Sequence, residues 1–239
     1  MFNKLLYKYI NRIMVSDPQR LVTLLRQCYG PGMSNLLSLS KDLIPKSVEG
    51  FHDLSYLFAC NQANRGIIAQ DFDEAAYLWK VVVDNKPAKM LEIGRWLGGS
   101  TILLVSAAAL HGGKVVSVDL KVKCPEYAQD EVLKKHLAAL GLSNYELVIA
   151  SGHDFKPTFN IDMAFIDGDH SYEGVRKDFE NVMKYLSDKA DIVFHDSCKS
   201  RPHATCHDGV AKLMNEIKEM TGFVLKKQVG SISHFKFDR

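Results

Sequence analysis

From about Asp71 onward the apolar residues of this chain follow two alternating rhythms. The stretch DEAAYLWKVVV (73–83) is a dense helical pattern with an acidic first turn, and AKMLEIG (88–94) after it is a short strand. The alternation continues through the helix STILLVSAAAL (100–110), the strand KVVSVDL (114–120) and the helix PEYAQDEVLKKHLAAL (125–140), which Gly141 closes. Two strands follow, YELVIAS (145–151) and IDMAFIDG (161–168), then the helix SYEGVRKDFENVMKYL (171–186) and the strand DIVFHDS (191–197). Because VVSV, MAFI and DIVF are apolar on consecutive residues, they are expected to be covered on both faces. This order predicts an α/β fold built on a Rossmann-like, doubly wound, mostly parallel sheet.

Both ends depart from that rhythm. The helix GVAKLMNEIKEMTG (209–222) puts Val210, Leu213, Met214 and Ile217 on one face, and two strands, FVLKKQV and ISHFKFD, follow it, joined by Gly230 and Ser231. A two-residue turn with Gly first suits a type II′ hairpin, so the sheet is expected to finish with an antiparallel C-terminal strand. Residues 1 to about 60 are expected to form helices and connectors, the first with Leu5, Leu6, Tyr9, Ile10, Ile13 and Met14 on one face and Lys4, Lys8 and Arg12 elsewhere. We expect residues 1–65 to be an N-terminal helical extension, a lid or a dimer contact, and residues 66–239 to be the main domain.

Composition narrows the functions. The 30 basic and 28 acidic residues are spread evenly and leave a net charge of +2, which excludes the electrostatic footprint of a dedicated nucleic-acid binder. Five scattered cysteines do not resemble a disulfide framework, so a reducing, cytoplasmic setting is expected. No run of about 18 apolar residues suggests a transmembrane segment, and the charged residues in MFNKLLYKYINRIMV interrupt any signal-peptide core.

The candidate chemistry starts at LEIGRWLGGST (91–101), where a strand runs through three glycines into a helix. Gly94, Gly98 and Gly99 let a ligand approach the backbone at the helix N-terminus. A dinucleotide loop needs Gly where Trp96 stands, and no Lys follows as in a phosphate-binding P-loop, so a nucleoside without phosphates is expected. Asp119 ends the next strand, where a carboxylate can accept hydrogen bonds from both hydroxyls of a free ribose. S-adenosylmethionine has that ribose and no phosphate. Farther on, Asp167 and Asp196 each end a strand and are expected to converge at the same sheet edge, where like charges call for a cation.

Through LEIGRWLGGST and VVSVDL the chain resembles the class I methyltransferases that use S-adenosylmethionine. Through FIDGDHSYEGVRKDF and IVFHDS it resembles the macrocin- and catechol-type O-methyltransferases of methyltransferase family 24. The resemblance spans about Gly66 to Arg239. It implies that Glu92 and Gly94 hold the methionine part, helped by the hydroxyl or backbone of Ser100. Trp96 lines the cofactor pocket, Asp119 takes the ribose, and Ser151 and His153 flank the adenine. It further implies a divalent metal, commonly Mg²⁺, at Asp167, His195 and Asp196. His195 departs from the family pattern, since oxygen is usual there and Mg²⁺ prefers oxygen. Asp169 or His170 is the expected base, Asp169 standing at the macrocin-type position and His170 at the catechol-type one, and Asp169 can alternatively cap the helix that begins near Ser171. The loop CKSRPHATCHDG (198–209) holds Cys198, His203, Cys206 and His207, but its spacing matches no zinc template and a substrate-facing loop is expected.

The implied activity is methyl transfer to a hydroxyl of a small molecule such as a sugar or natural product, by a possible homo-oligomer. Two alternatives stay open at this level. His170, His195 and one Asp form a two-histidine, one-carboxylate set of the kind that holds iron in oxygenases, and a protein of this fold can also bind S-adenosylmethionine without catalysis.

Overall fold

The computed structural model describes residues 44–58, 67–120, 129–199 and 206–239. The expected first amphipathic helix and His203 lie outside these residues. A 3-10 helix, Phe51–Phe58, precedes five α-helices: α1 Phe72–Asn85, α2 Gly99–Ala109, α3 Gln129–Ala139, α4 Tyr172–Met183 and α5 Asp208–Lys218. The strands are β1 Lys89–Ile93, β2 Lys114–Asp119, β3 Tyr145–Ile149, β4 Ile161–Ile166, β5 Leu186–Phe194, β6 Phe223–Val229 and β7 Ile232–Asp238.

These strands form one sheet in the order β3-β2-β1-β4-β5-β7-β6. The first five are parallel, and β7 runs antiparallel to both β5 and β6. The doubly wound core and the antiparallel finish are therefore both present. Gly230 opens the β6–β7 turn at φ 59, while Ser231 keeps a negative φ, as a Gly-first turn requires.

Strand alternation explains the two-sided burial. Along β1, Met90 joins the core cluster that includes α1, α2 and α3, while Leu91 and Ile93 join the one that includes α4 and α5. Leu54 and Leu57 of the 3-10 helix are wholly buried in the first cluster, beside Leu78 and Leu103. The last turn before residue 59 is thus part of the main core.

Register sets up the site. Ile93 pairs with Val118 on one side and with Ile166 on the other, Asp119 pairs with Ile149, and Ile166 pairs with Phe194. One step beyond Ile93, Ile166 and Phe194, the residues Gly94, Asp167 and His195 join Asp119 in a row across the carboxyl edge. Strand order reverses between β1 and β4, which opens the crevice where open α/β sheets bind ligands.

Candidate active site

A cavity of about 1020 Å³ opens along this row and receives side chains from the ends of five strands. That is ample for a nucleoside-sized ligand together with a small acceptor.

The glycine loop is shaped by close approach. A Cβ on Gly94 would lie 2.1 Å from the carbonyl oxygen of Asp167, and its φ is 86, so only glycine lets β1 and β4 converge here. Trp96 occupies the left-handed region at φ 43, is half exposed and lines the cavity. That conformation costs about 1–2 kcal/mol for a residue with a side chain. Asp119 offsets it, since one carboxylate oxygen accepts from the backbone N–H groups of both Arg95 (2.8 Å) and Trp96 (2.7 Å). Arg95 turns inward, forks onto Asp130 and donates to the carbonyls of Ser117 and Val148. Helix α2 begins at Gly99 with no side-chain cap, leaving its first N–H groups directed at the cavity beside Ser100.

Gly94, Trp96, Ser100, Asp119, Ser151 and His153 all line the cavity, as expected of cofactor-binding residues. Glu92 lies apart from that lining. Its side chain is wholly buried beneath the loop and accepts from Ser100 (2.6 Å), Thr101 (2.6 Å) and Ser117 (2.5 Å). Burial pushes the Glu92 carboxyl up, against the pull of those three hydroxyls. Glu92 therefore ties α2 to β1 and β2, and because the Ser100 hydroxyl spends its proton on Glu92, it is left only as an acceptor beside the Ser100 backbone.

Asp167, His195 and Asp196 converge as expected. His195 Nδ1 lies 3.1 Å from Asp167 and 3.6 Å from Asp196 Oδ1, and the three potential ligand atoms lie within 4.8 Å of one another. Asp196 adopts the left-handed region at φ 51, and its buried Oδ1 has no hydrogen-bond partner among the described residues. Two residues before β1, unassigned from sequence, complete the surround. Gln70 donates to Asp167 Oδ2 at 3.0 Å, and Glu74, in the first turn of α1, lies 3.3 Å from His195 Nε2. Burial pushes the Glu74 carboxyl up, but His195 and the N–H groups of Asp71 and Ser231 prevail and hold it at about 2. Burial also works against charge on His195 and Asp167, yet His195 is raised well above its usual value by Asp167 and Glu74, and Asp167 is lowered by His195 and His170.

The two candidate bases differ in placement. Asp169 is exposed on the β4–α4 turn and accepts from the Ser171 N–H at 2.8 Å, while Ser171 itself caps α4 through Gly174. His170 instead directs Nε2 toward Asp167 Oδ1 (3.4 Å) and Asp196 Oδ2 (3.6 Å). Sequence reasoning also missed His207 and Asp178. His207 comes from the loop read as substrate-facing, yet its ring reaches Asp196.

Asp178 on α4 reaches the cavity beneath Gly152 and Gly168, where any Cβ would crowd it. Burial pushes its carboxyl up to about 6, against the pull of nearby His153. A raised folded-state value means that stability falls as pH climbs from about 4 through 6 and stays reduced above. Asp178→Asn should therefore raise the melting temperature at pH 7.5, by the equivalent of about 3 kcal/mol, with the advantage gone near pH 4. Thermal unfolding across that range checks this, and a variant no more stable at pH 7.5 would contradict it.

Comparison with known proteins agrees with this geometry. Residues 91–197 match the family model described as a methyltransferase domain. Over that stretch the chain is similar to methyltransferase domains, the kind of protein that its motifs resemble. An uncharacterised protein of Acanthamoeba polyphaga mimivirus is 28% identical over 158 residues, 62% of this chain, and the chain spans 64% of that relative's length. Among solved structures, the O-methyltransferase TomG of Streptomyces achromogenes, in complex with S-adenosylmethionine, superposes with a TM-score of 0.53 at 17% identity, over 69% of this chain and 79% of that one. An O-methyltransferase of Bacillus cereus bound to S-adenosylhomocysteine gives 0.55 at 18%, over 72% and 84%. At such identities the shared property is the fold.

Proposed function

We propose that this protein transfers a methyl group from S-adenosylmethionine to a hydroxyl of a small molecule, with a divalent cation held by Asp167, His195 and Asp196. The observation that carries this reading is the single row at the sheet edge, which puts Asp119, the bare N-terminus of α2 and the Asp167–His195–Asp196 centre along one cavity. S-adenosylmethionine supplies the electrophilic methyl group. Asp119 accepts from the ribose with the oxygen that the loop does not use, and the N–H groups of α2 suit the methionine carboxylate. Ser151 and His153 flank the adenine.

The centre fits a cation on two counts. Asp196 buries an unsatisfied carboxylate oxygen there, and Glu74 beside Nε2 of His195 can fix the proton on that nitrogen and leave Nδ1 as a ligand, the arrangement typical of metal-bound imidazoles. An imidazole in the donor set suits a borderline ion such as Zn²⁺ better than Mg²⁺. Asp167, His195 and Asp196 would hold the cation, which would supply Lewis-acid activation and positioning of the acceptor hydroxyl. Asp169, exposed to the cavity, takes the acceptor's proton, whereas His170 turns its Nε2 into the carboxylate pair. The N-terminal extension covers the acceptor side or joins two subunits, walls that the bare sheet edge lacks.

Asp169→Asn should lower turnover by on the order of 100-fold while changing acceptor affinity little, because a proton acceptor acts mainly on the transition state. Steady-state kinetics with a competent acceptor decide it, and an equally active variant would rule Asp169 out as the base. The imidazoles around the two carboxylates favour one other reading, an iron oxygenase. Acceptor consumption that depends on iron and 2-oxoglutarate, with no S-adenosylhomocysteine released, would replace the methyltransferase reading with that one.

A further inference from the structure

Asp196 Oδ2 faces a second group of potential ligands beside the one that includes His195. The Nε2 atoms of His170 and His207 each lie 3.6 Å from it. The two rings stack with centroids 4.5 Å apart and planes 10° apart, and the three potential ligand atoms lie within 4.8 Å of one another. A separation of 3.6 Å is too long for a hydrogen bond. It is close to the spacing of two atoms that share an ion, since ligands about 2.1 Å from one metal stand roughly 3.0–3.5 Å apart.

The backbone holds His207 in this place. Its N–H donates to the carbonyl of Asp196 at 2.9 Å, and the preceding Cys206 forms a bridge with Ser197. Asp196 is 7% exposed and held in a left-handed conformation that few residues with side chains adopt. Its Oδ1 has no hydrogen-bond partner among the described residues. Asp196 Oδ1 thus faces His195 and Oδ2 faces the stacked pair, of which His170 also lies 3.4 Å from Asp167 Oδ1.

We propose that His170, His207 and Asp196 Oδ2 form a second divalent-metal site, joined to the first by Asp196 as a bridging carboxylate. Two imidazoles and one carboxylate select a first-row transition ion of the Zn²⁺ type over Mg²⁺. The inference deepens the metal reading above and rests on it for the first ion. It makes His170 a ligand, which leaves Asp169 as the proton acceptor.

The test counts ions. Metal-free full-length protein is equilibrated with Zn²⁺, dialysed, and its bound zinc measured by mass spectrometry for the parent, His207→Ala and His207→Gln. Two retained equivalents in the parent and one in each variant are expected, with equal S-adenosylhomocysteine affinity in all three. Equal zinc counts in parent and variants would overturn the second site. Because a variant can misfold, the parent alone is also titrated with Co²⁺ and its histidine ring resonances followed by NMR. A second set of paramagnetic shifts at both the His170 and His207 rings, growing between one and two equivalents of Co²⁺, is expected, and rings that stop shifting after one equivalent would equally overturn the proposal. Calorimetry with S-adenosylhomocysteine on metal-free protein reads the methyltransferase assignment separately, so loss of one conclusion is not mistaken for loss of the other.

Discussion

Asp167→Asn should reduce methyl transfer by on the order of a thousand-fold while leaving S-adenosylhomocysteine affinity nearly intact. The carboxylate stands where three potential ligand atoms converge, and a cation held there is worth several kcal/mol of transition-state stabilisation. Asparagine keeps the shape and can still meet Gln70, so the fold should survive. The groups we assign to the adenosine, Asp119 and the loop after β1, lie on other strands. Labelled methyl transfer to a competent acceptor, with and without chelator and with metal added back, checks the effect. Full activity in excess chelator, matched by an equally active Asp167→Asn protein, would leave only proximity and base catalysis.

The second large effect is expected at Asp119. Alanine there removes the partner of the Arg95 and Trp96 N–H groups and, on our reading, of the ribose hydroxyls as well. Each polar group left without a partner costs about 1–3 kcal/mol. Affinity for S-adenosylmethionine should fall by on the order of 100-fold, and the melting temperature should drop even without ligand, because Trp96 loses what holds it at positive φ. Unchanged affinity by calorimetry would remove Asp119 from the cofactor site.

Much of this architecture was legible in the sequence because its signals are local. Consecutive apolar residues in VVSV, MAFI and DIVF marked strands buried on both faces, and the Gly-Ser turn marked the final hairpin. Asp167 and Asp196 were legible as partners because one helix separates their strands, which makes the strands parallel neighbours. The direction of the Glu92 side chain was not read, because a motif position does not say which way a side chain points. Its direction was recoverable in principle: Ser117 pairs with Glu92 across the sheet, and Ser100 and Thr101 open the helix above it.

Other parts of the centre depend on packing that no local pattern carries. Gln70 and Glu74 meet Asp167 and His195 only because α1 packs against the sheet edge, and the contacts join residues 97 and 121 positions apart. His207 sat in a polar loop whose spacing fits no metal template. Its partner is Asp196, eleven residues earlier and brought close by the return of the chain toward α5.

The central claim, that this cavity is built for a nucleoside without phosphates and uses it as a methyl donor, is tested most directly by calorimetric titration of the metal-free protein. S-adenosylhomocysteine should bind at one site per chain, compete with S-adenosylmethionine, and bind far more weakly to Asp119→Ala, while NADH shows no binding. Tight binding of NADH with none of S-adenosylhomocysteine would contradict the account.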